Sequence, residues 1–296
     1  MMFKSGYVGV LGRPNVGKST LLNRIVGEKI SAVSSKPQTT RNKISIIYND
    51  EDSQIIFLDT PGMQKPGNEL GKFMQKESES SLDEVDIVTY IVDTSTKIGR
   101  LDRMIIDLLK KAPKNLKIIL LINKIDQVKK EELLDIINLY KDELNFEEII
   151  PISAMMGDGI EEFMKILKDL LPEGPKYYPD DILTDRPVKF IASEIIREKA
   201  LLNLKEEVPH GVAVTIESMH ENEKGLTEIE AVIYCEKDSH KGILIGKNGS
   251  MLKKIGTEAR LDIENLIEGR VNLKLWVKVD KNWRDNDRRL KGLGYK

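Results

Sequence analysis

The chain has 296 residues, of which 40% are hydrophobic and 32% charged, with a formal net charge of −2. This balance supplies both a core and a solvated surface, so it excludes a disordered chain, and the small charge excludes a protein that coats nucleic acid along its whole length. No apolar run approaches the roughly 18 residues that span a bilayer, and Met1 to Gly6 lacks the apolar core of a secretory signal, so a cytoplasmic protein of two domains is expected.

Tyr7–Leu11 reads as a buried strand, and Gly12-Arg13-Pro14-Asn15-Val16-Gly17-Lys18-Ser19 follows it, with Thr20 next in a helix over 18–27. The segment fits the phosphate-loop pattern G-x-x-x-x-G-K-[ST] in the strand–loop–helix setting that its mechanism needs. Glycines let backbone N–H groups turn toward phosphates at a positive helix N-terminus, Lys18 reaches the terminal phosphates, and Ser19 can hold Mg²⁺. Arg13 has two readings, a phosphate contact or a solvated side chain. Asp59-Thr60-Pro61-Gly62 closes the strand Ile55–Leu58, where Asp59 can hold a Mg²⁺-bound water and Gly62 can approach the γ-phosphate.

Strand Ile87–Val92, a helix over 101–111 and strand Ile118–Ile122 lead to Asn123-Lys124-Ile125-Asp126. Asp126 would accept two hydrogen bonds from guanine's ring N–H and exocyclic amine, Asn123 would brace the loop, and Lys124 would lie along the base. Adenine would leave that carboxylate unpaired, which is a large discrimination for a small site. After a helix over 131–144 and strand Ile149–Ile152, Ser153-Ala154 would present the Ala154 N–H to the guanine oxygen, and a helix over 159–170 follows. Alternating strands and helices imply a parallel sheet covered on both faces.

Pro172, Gly174, Pro175, Pro179 and Pro187 fall in quick succession and mark a linker. Beyond it the order changes to a helix over 188–204, strands over 211–219 and 227–236, two helices split by Gly246–Gly249, and a strand over 271–279. Cys235 alternates with Ile229, Ala231 and Ile233 on a core face; as the single cysteine it makes no internal disulfide, and His210, His220 and His240 have no zinc-ligand spacing. Leu252, Ile255, Ala259, Ile263 and Leu266 form a buried helical stripe, leaving Lys253, Lys254 and Arg260 outside it. In the last strand Leu273, Leu275, Val277 and Val279 point inward, and Trp276 either packs against a neighbouring element or stacks on a base. Lys281, Trp283, Arg284, Arg288, Arg289 and Lys291 read as a basic tail for phosphates or as a solvated terminal helix.

The four nucleotide elements, in this order, resemble those of the translation-factor-like GTPases over residues 5–171. The resemblance implies a Ras-like P-loop fold, α/β with a mixed, mostly parallel sheet. It also implies a first switch at Pro37-Gln38-Thr39-Thr40-Arg41, with Thr40 on Mg²⁺ in the GTP state, and a second switch over Thr60–Lys72. Met63 stands where related proteins carry a glutamine that orients the attacking water. Either backbone groups and Mg²⁺ orient that water, or a potassium ion on Asn15 supplies charge, as the resemblance to G-x-P-N-V-G-K-S loops suggests.

Ile245-Gly246-Lys247-Asn248-Gly249, with Ile255 beyond, resembles the signature of KH domains, and the element order is that of their α+β type II form. That implies a groove clamping about four RNA nucleotides, with Lys247, Lys253 and Lys254 near the backbone. A GTP-binding domain over 1–173, a linker over 174–186, a KH domain over 187–280 and a basic tail over 281–296 together resemble the Era-type GTPases. The resemblance implies binding and hydrolysis of GTP to GDP with Mg²⁺. It further implies binding to the 3′ end of 16S rRNA, work in assembly of the 30S subunit, a monomer without a DNA partner, and peripheral contact with the inner membrane. An RNA-binding scaffold in which GTP is only structural, and a GTPase whose second domain recruits a protein, are the other classes left open.

Overall fold

A computed structural model describes residues 2–34 and 36–295. Their contacts divide the chain into two units. One comprises residues up to Ser31 with Thr40–Lys65 and Met74–Asp185; the other comprises Ala32–Thr39, Pro66–Phe73 and the chain from Arg186.

The first unit is built on strands β1 (Lys4–Leu11), β2 (Ile44–Asn49), β3 (Ser53–Asp59), β4 (Ile87–Asp93), β5 (Lys117–Asn123) and β6 (Glu148–Ile152), in the order β2-β3-β1-β4-β5-β6. β2 runs antiparallel to β3 and every other neighbouring pair is parallel. β3 is buried throughout and β4 and β5 almost throughout, as sheet strands covered on both faces must be. Helices α1 (Lys18–Val26), α2 (Glu69–Ser80, in this unit from Met74 on), α3 (Arg100–Leu109), α4 (Lys130–Tyr140) and α5 (Ile160–Leu170) accompany the sheet. Strand order reverses about β1, which has β3 on one side and β4 on the other. The loop after β1 therefore opens at the crevice where such sheets take ligands.

Two elements were not anticipated from the sequence. β2 is a short edge strand among loop residues, and α2 begins at Glu69, inside the stretch expected as the second switch. The proline-rich stretch after α5 forms no helix, as expected, yet it is anchored. Gln54, fully buried, accepts the N–H groups of Tyr177 (2.7 Å) and Tyr178 (3.0 Å), and Ile47 N–H donates to Leu183 O at 2.9 Å.

The second unit pairs a three-stranded sheet, β7 (Ala213–Glu221), β8 (Leu226–Cys235) and β9 (Arg270–Val279), with helices α6 (Val188–Asn203), α7 (Asp238–Ile245) and α8 (Ser250–Ile267). β7–β8 is antiparallel with a bulge at Ile216/Ser218, and β8–β9 is parallel. Cys235, Ile255, Ala259 and Ile263 are buried as anticipated, whereas Leu252 and Leu266 are half-buried.

Within this unit, Val33, Gln38 and Thr39 lie against α6. The buried Arg197 guanidinium donates to Gln38 O (3.4 Å), to Thr39 O and to Glu194, and Val33 N–H donates to Glu198 Oε2 at 3.3 Å. The expected basic tail is folded. Trp283 is fully buried, donates its indole N–H to Gly211 O (3.0 Å) and stacks on Tyr295, and α9 (Asp287–Gly292) follows. Arg284 pairs with Glu236 and Arg289 with Asp280, so two of the expected phosphate-neutralising arginines are already paired. Trp276 is not buried against a neighbouring element: it stands 44% exposed on the sheet's outer side.

Candidate functional site: a nucleotide pocket and a glycine-turn groove

The phosphate loop is shaped by close approaches. Gly17 has φ +101°, and a Cβ there would lie 2.3 Å from Asn123 Nδ2; one on Gly12 would lie 2.5 Å from Ile91 O. Only glycine fits such positions without displacing backbone or a buried amide. Lys18, 6% exposed, donates to Gly12 O (3.1 Å) and Arg13 O (3.3 Å), and burial lowers its pKa to about 8. Thr20 lies in the first turn of α1, and Val16 is buried beneath the loop.

Ser19, Thr40 and Asp59 converge from three separate segments. Ser19 Oγ donates to Asp59 Oδ2 at 2.9 Å and lies 3.0 Å from Thr40 Oγ1. Asp59 is fully buried, its Oδ1 has no hydrogen-bond partner, and burial raises its pKa. An orphaned buried carboxylate oxygen beside two hydroxyls is the donor set a hard cation takes, so these residues fit Mg²⁺.

The second-switch residues are packed. Thr60 Oγ1 donates to Val10 O at 2.7 Å, and Pro61 O accepts from Ser78 Oγ at 2.8 Å. A Cβ on Gly62 would lie 2.9 Å from Pro14 N and Cα, so Gly62 is set by its approach to the phosphate loop itself. Met63 is 3% exposed and joins the core cluster of Leu11, Leu82, Val88 and Tyr90. In the first switch, Pro37 precedes Gln38, which has φ +63°; Thr39 Oγ1 donates to Lys36 O at 2.7 Å, and Arg41 is fully buried.

The base-recognition loop forms around Asn123, whose Nδ2 donates to Val16 O (2.7 Å) and whose Oδ1 accepts the N–H groups of Lys124 and Ala154 (2.8 Å each). The Ala154 N–H, expected to meet the guanine oxygen, donates to Asn123 Oδ1 in this structure. Ser153 Oγ donates to Asp126 Oδ1 at 2.5 Å, which orients that carboxylate. Lys124 Nζ reaches back to Asn15 O at 2.8 Å, tying this loop to the exposed, positive-φ Asn15.

Arg13 follows neither expected reading. Its side chain pairs with Asp93, donates to Ser95 Oγ (2.8 Å), and places Nε 3.1 Å from the buried Asp102. The sequence held no signal for Asp102, a carboxylate at the start of α3 on a buried helix face.

In the second unit, Ile245 ends α7, and Gly246 (φ +72°), Lys247, Asn248 (φ +52°) and Gly249 (φ +78°) make a tight turn into α8. A Cβ on Gly246 would meet Met251 N at 2.8 Å. Beside the turn lies a groove of about 370 Å³ lined by Gly249, Leu252, Lys253, Thr257, Arg260 and Leu275. Lys253 is exposed at its helical wall, and Lys254, also exposed, lies one residue further on and 3.9 Å from Glu258.

A Ras-like nucleotide fold with phosphate, cation and base-recognition segments at one sheet crevice, followed by a unit with the type II KH element order, defines a P-loop GTPase carrying a KH domain. The family described as 50S ribosome-binding GTPase matches residues 7–124, and the KH domain family matches residues 207–284. The chain is 54% identical to GTPase Era of Clostridium kluyveri across 100% of both chains, and 53% identical to that of Clostridioides difficile across 99% of both. It also superposes with TM-score 0.94, at 38% identity and 99% coverage of both chains, on a crystal structure of Era in complex with MgGDPNP and nucleotides 1506–1542 of 16S ribosomal RNA. A structure of Aquifex aeolicus Era bound to GDP and AlF4⁻ gives the same TM-score and coverage. The chain belongs to the Era GTPase family, and it is a GTPase.

Proposed function

We propose that this GTPase binds the 3′ region of 16S rRNA through its KH groove, in assembly of the 30S subunit, with the GTP state favouring RNA. The observation that carries this reading is the likeness, at TM-score 0.94 over 99% of the chain, to an Era captured with both a GTP analogue and that RNA segment. The Gly246–Gly249 turn and the adjoining groove supply the local means, since glycines admit the sugar-phosphate backbone closely. Ser19 and Thr40 would hold Mg²⁺, with Asp59 behind a bound water. The ion would neutralise charge on the β- and γ-phosphates.

Lys18 would lie against the terminal phosphates and Asp126 against guanine's N–H groups. With Met63 in the core, no side chain at that position orients the attacking water, so intrinsic hydrolysis is slow, or potassium on Asn15 assists it. Hydrolysis equally fast in sodium and potassium would remove the potassium reading. A monomer in the cytoplasm with peripheral contact at the inner membrane completes the proposal; among the described residues no helix is long and apolar enough to cross a membrane.

The test measures binding of a single-stranded 3′-terminal 16S fragment with a non-hydrolysable GTP analogue, with GDP and without nucleotide. Binding at least about fivefold tighter in the GTP state, a coupling near 1 kcal/mol, supports the proposal. Equal binding in all three states replaces it with a scaffold in which GTP is structural.

A further inference from the structure

We propose that Asp93 is a positioning residue for guanine nucleotide binding, because its carboxylate joins the phosphate loop to the base-recognition loop and makes the two act as one body. The parallel register of β4 and β5 sets Asp93 beside Asn123, so the end of one strand meets the first residue of the base loop. Asp93 Oδ1 takes the Arg13 guanidinium, the Ser95 N–H (3.1 Å) and the Ser95 hydroxyl (2.6 Å). Its other oxygen lies 4.0 Å from Lys124 Nζ, the same ammonium that donates to Asn15 O. One carboxylate thus faces two cations that would otherwise repel across a half-buried space.

From the ends of β4 and β5 and from α3, the phosphate loop is held at three residues: residue 13 by Asp93 and Asp102, residue 15 by Lys124, and residue 16 by Asn123. Asp102 is itself fixed by the Tyr90 hydroxyl at 3.2 Å. Arg13 therefore has a second carboxylate if Asp93 is removed, whereas Lys124 keeps only its bond to Asn15 O among these contacts. Lys124 also sits at φ +70°, a conformation that a non-glycine side chain keeps only where its surroundings enforce it. Asp126 lies two residues further on, so loosening Lys124 shifts the carboxylate expected to read guanine. Asp93 acts through Arg13 and Lys124.

The experiment compares Asp93→Asn, Arg13→Gln and the double variant with the unaltered full chain. It reads the dissociation rate of a fluorescent GDP analogue and the ratio of GDP to IDP affinity, since hypoxanthine lacks the exocyclic amine. Asp93→Asn should release GDP about tenfold faster and compress the GDP-to-IDP ratio several-fold, and the double variant should fall at least about fivefold short of the product of the single effects. A merely structural role would lower the melting temperature and leave the ratio unchanged, and that result overturns the proposal, as do single effects that multiply independently. If Asp93→Asn does not fold, Ser95→Ala removes the hydroxyl that orients the carboxylate. A smaller but measurable rise in release supports the proposal, and an unchanged rate overturns it.

Discussion

Raising the pH should draw a proton into the protein when nucleotide binds, because Lys18 is ionised less readily in the free protein than its chemistry alone would allow. Burial moves its pKa from 10.5 to about 8, against the pull of Asp59 in the opposite direction. The free, folded state therefore binds fewer protons than the unfolded chain between these two values. Stability without nucleotide should rise with pH across that window, and the residue's full cost of about 3 kcal/mol is present below it. A bound phosphate restores the ammonium. At about pH 8.5 roughly a quarter of the free protein carries the charge, so binding should take up about 0.75 proton, against about 0.1 near pH 7. Above the free value, affinity for GDP should fall by up to about tenfold per pH unit. Isothermal titration in two buffers of different ionisation enthalpy gives the uptake directly, kept below the pH at which guanine's own ring N–H ionises. Uptake under about 0.2 proton at pH 8.5 would refute the assignment of Lys18 to the phosphates or its burial when free.

Gly17→Ala should abolish nucleotide binding while leaving the fold largely intact, since a Cβ there displaces the Asn123 amide that braces both loops; equilibrium binding of GDP checks it. Gly246→Ala should weaken RNA binding without changing the GTP hydrolysis rate, because it strains only the turn into α8, and a fall in both activities would contradict that separation. Arg197→Met should destabilise the second unit by about 3–5 kcal/mol in chemical unfolding, as Glu194 would be left charged, buried and without its cation. Trp283→Ala should cost about the same through the lost ring and its bond to Gly211 O, which a disposable basic tail would not do.

The nucleotide pocket was largely legible because its residue types are dictated by local rules. A backbone that cradles phosphate needs glycines, a following helix, and a lysine and hydroxyl at fixed offsets, and all of these are contiguous. The strands of the first sheet were legible for a related reason: burial on both faces turns β3, β4 and β5 into unbroken apolar runs. The polar helix α2 has neither signature, whereas the edge strand β2 carries a short β-branched run, Ile44, Ile46 and Ile47, next to the first switch and less continuous than the runs of β3 to β5. Composition left the tail open between phosphate contact and a solvated terminal helix. The structure folds part of it into α9, and Glu236, distant in sequence, and Asp280, nearby, pair with Arg284 and Arg289, which residue counts alone do not show.

Met63 shows where a local reading stops and the fold decides. From the sequence, a thioether in the place of a water-orienting glutamine is a missing function. In the structure its side chain is turned into the core with Leu11, Val88 and Tyr90, while its N–H donates to Gly12 O at 3.2 Å. The residue therefore holds the second switch against the phosphate loop, next to Gly62, whose contact with Pro14 leaves no room for a Cβ. A glutamine at 63 would have to bury its amide there or leave the core, so Met63→Gln should lower stability by about 1–3 kcal/mol and should not by itself accelerate hydrolysis. Thermal unfolding and single-turnover rates on the same variant separate the two effects. A variant that hydrolyses GTP faster at unchanged stability would mean that the side chain of residue 63 faces the γ-phosphate during turnover.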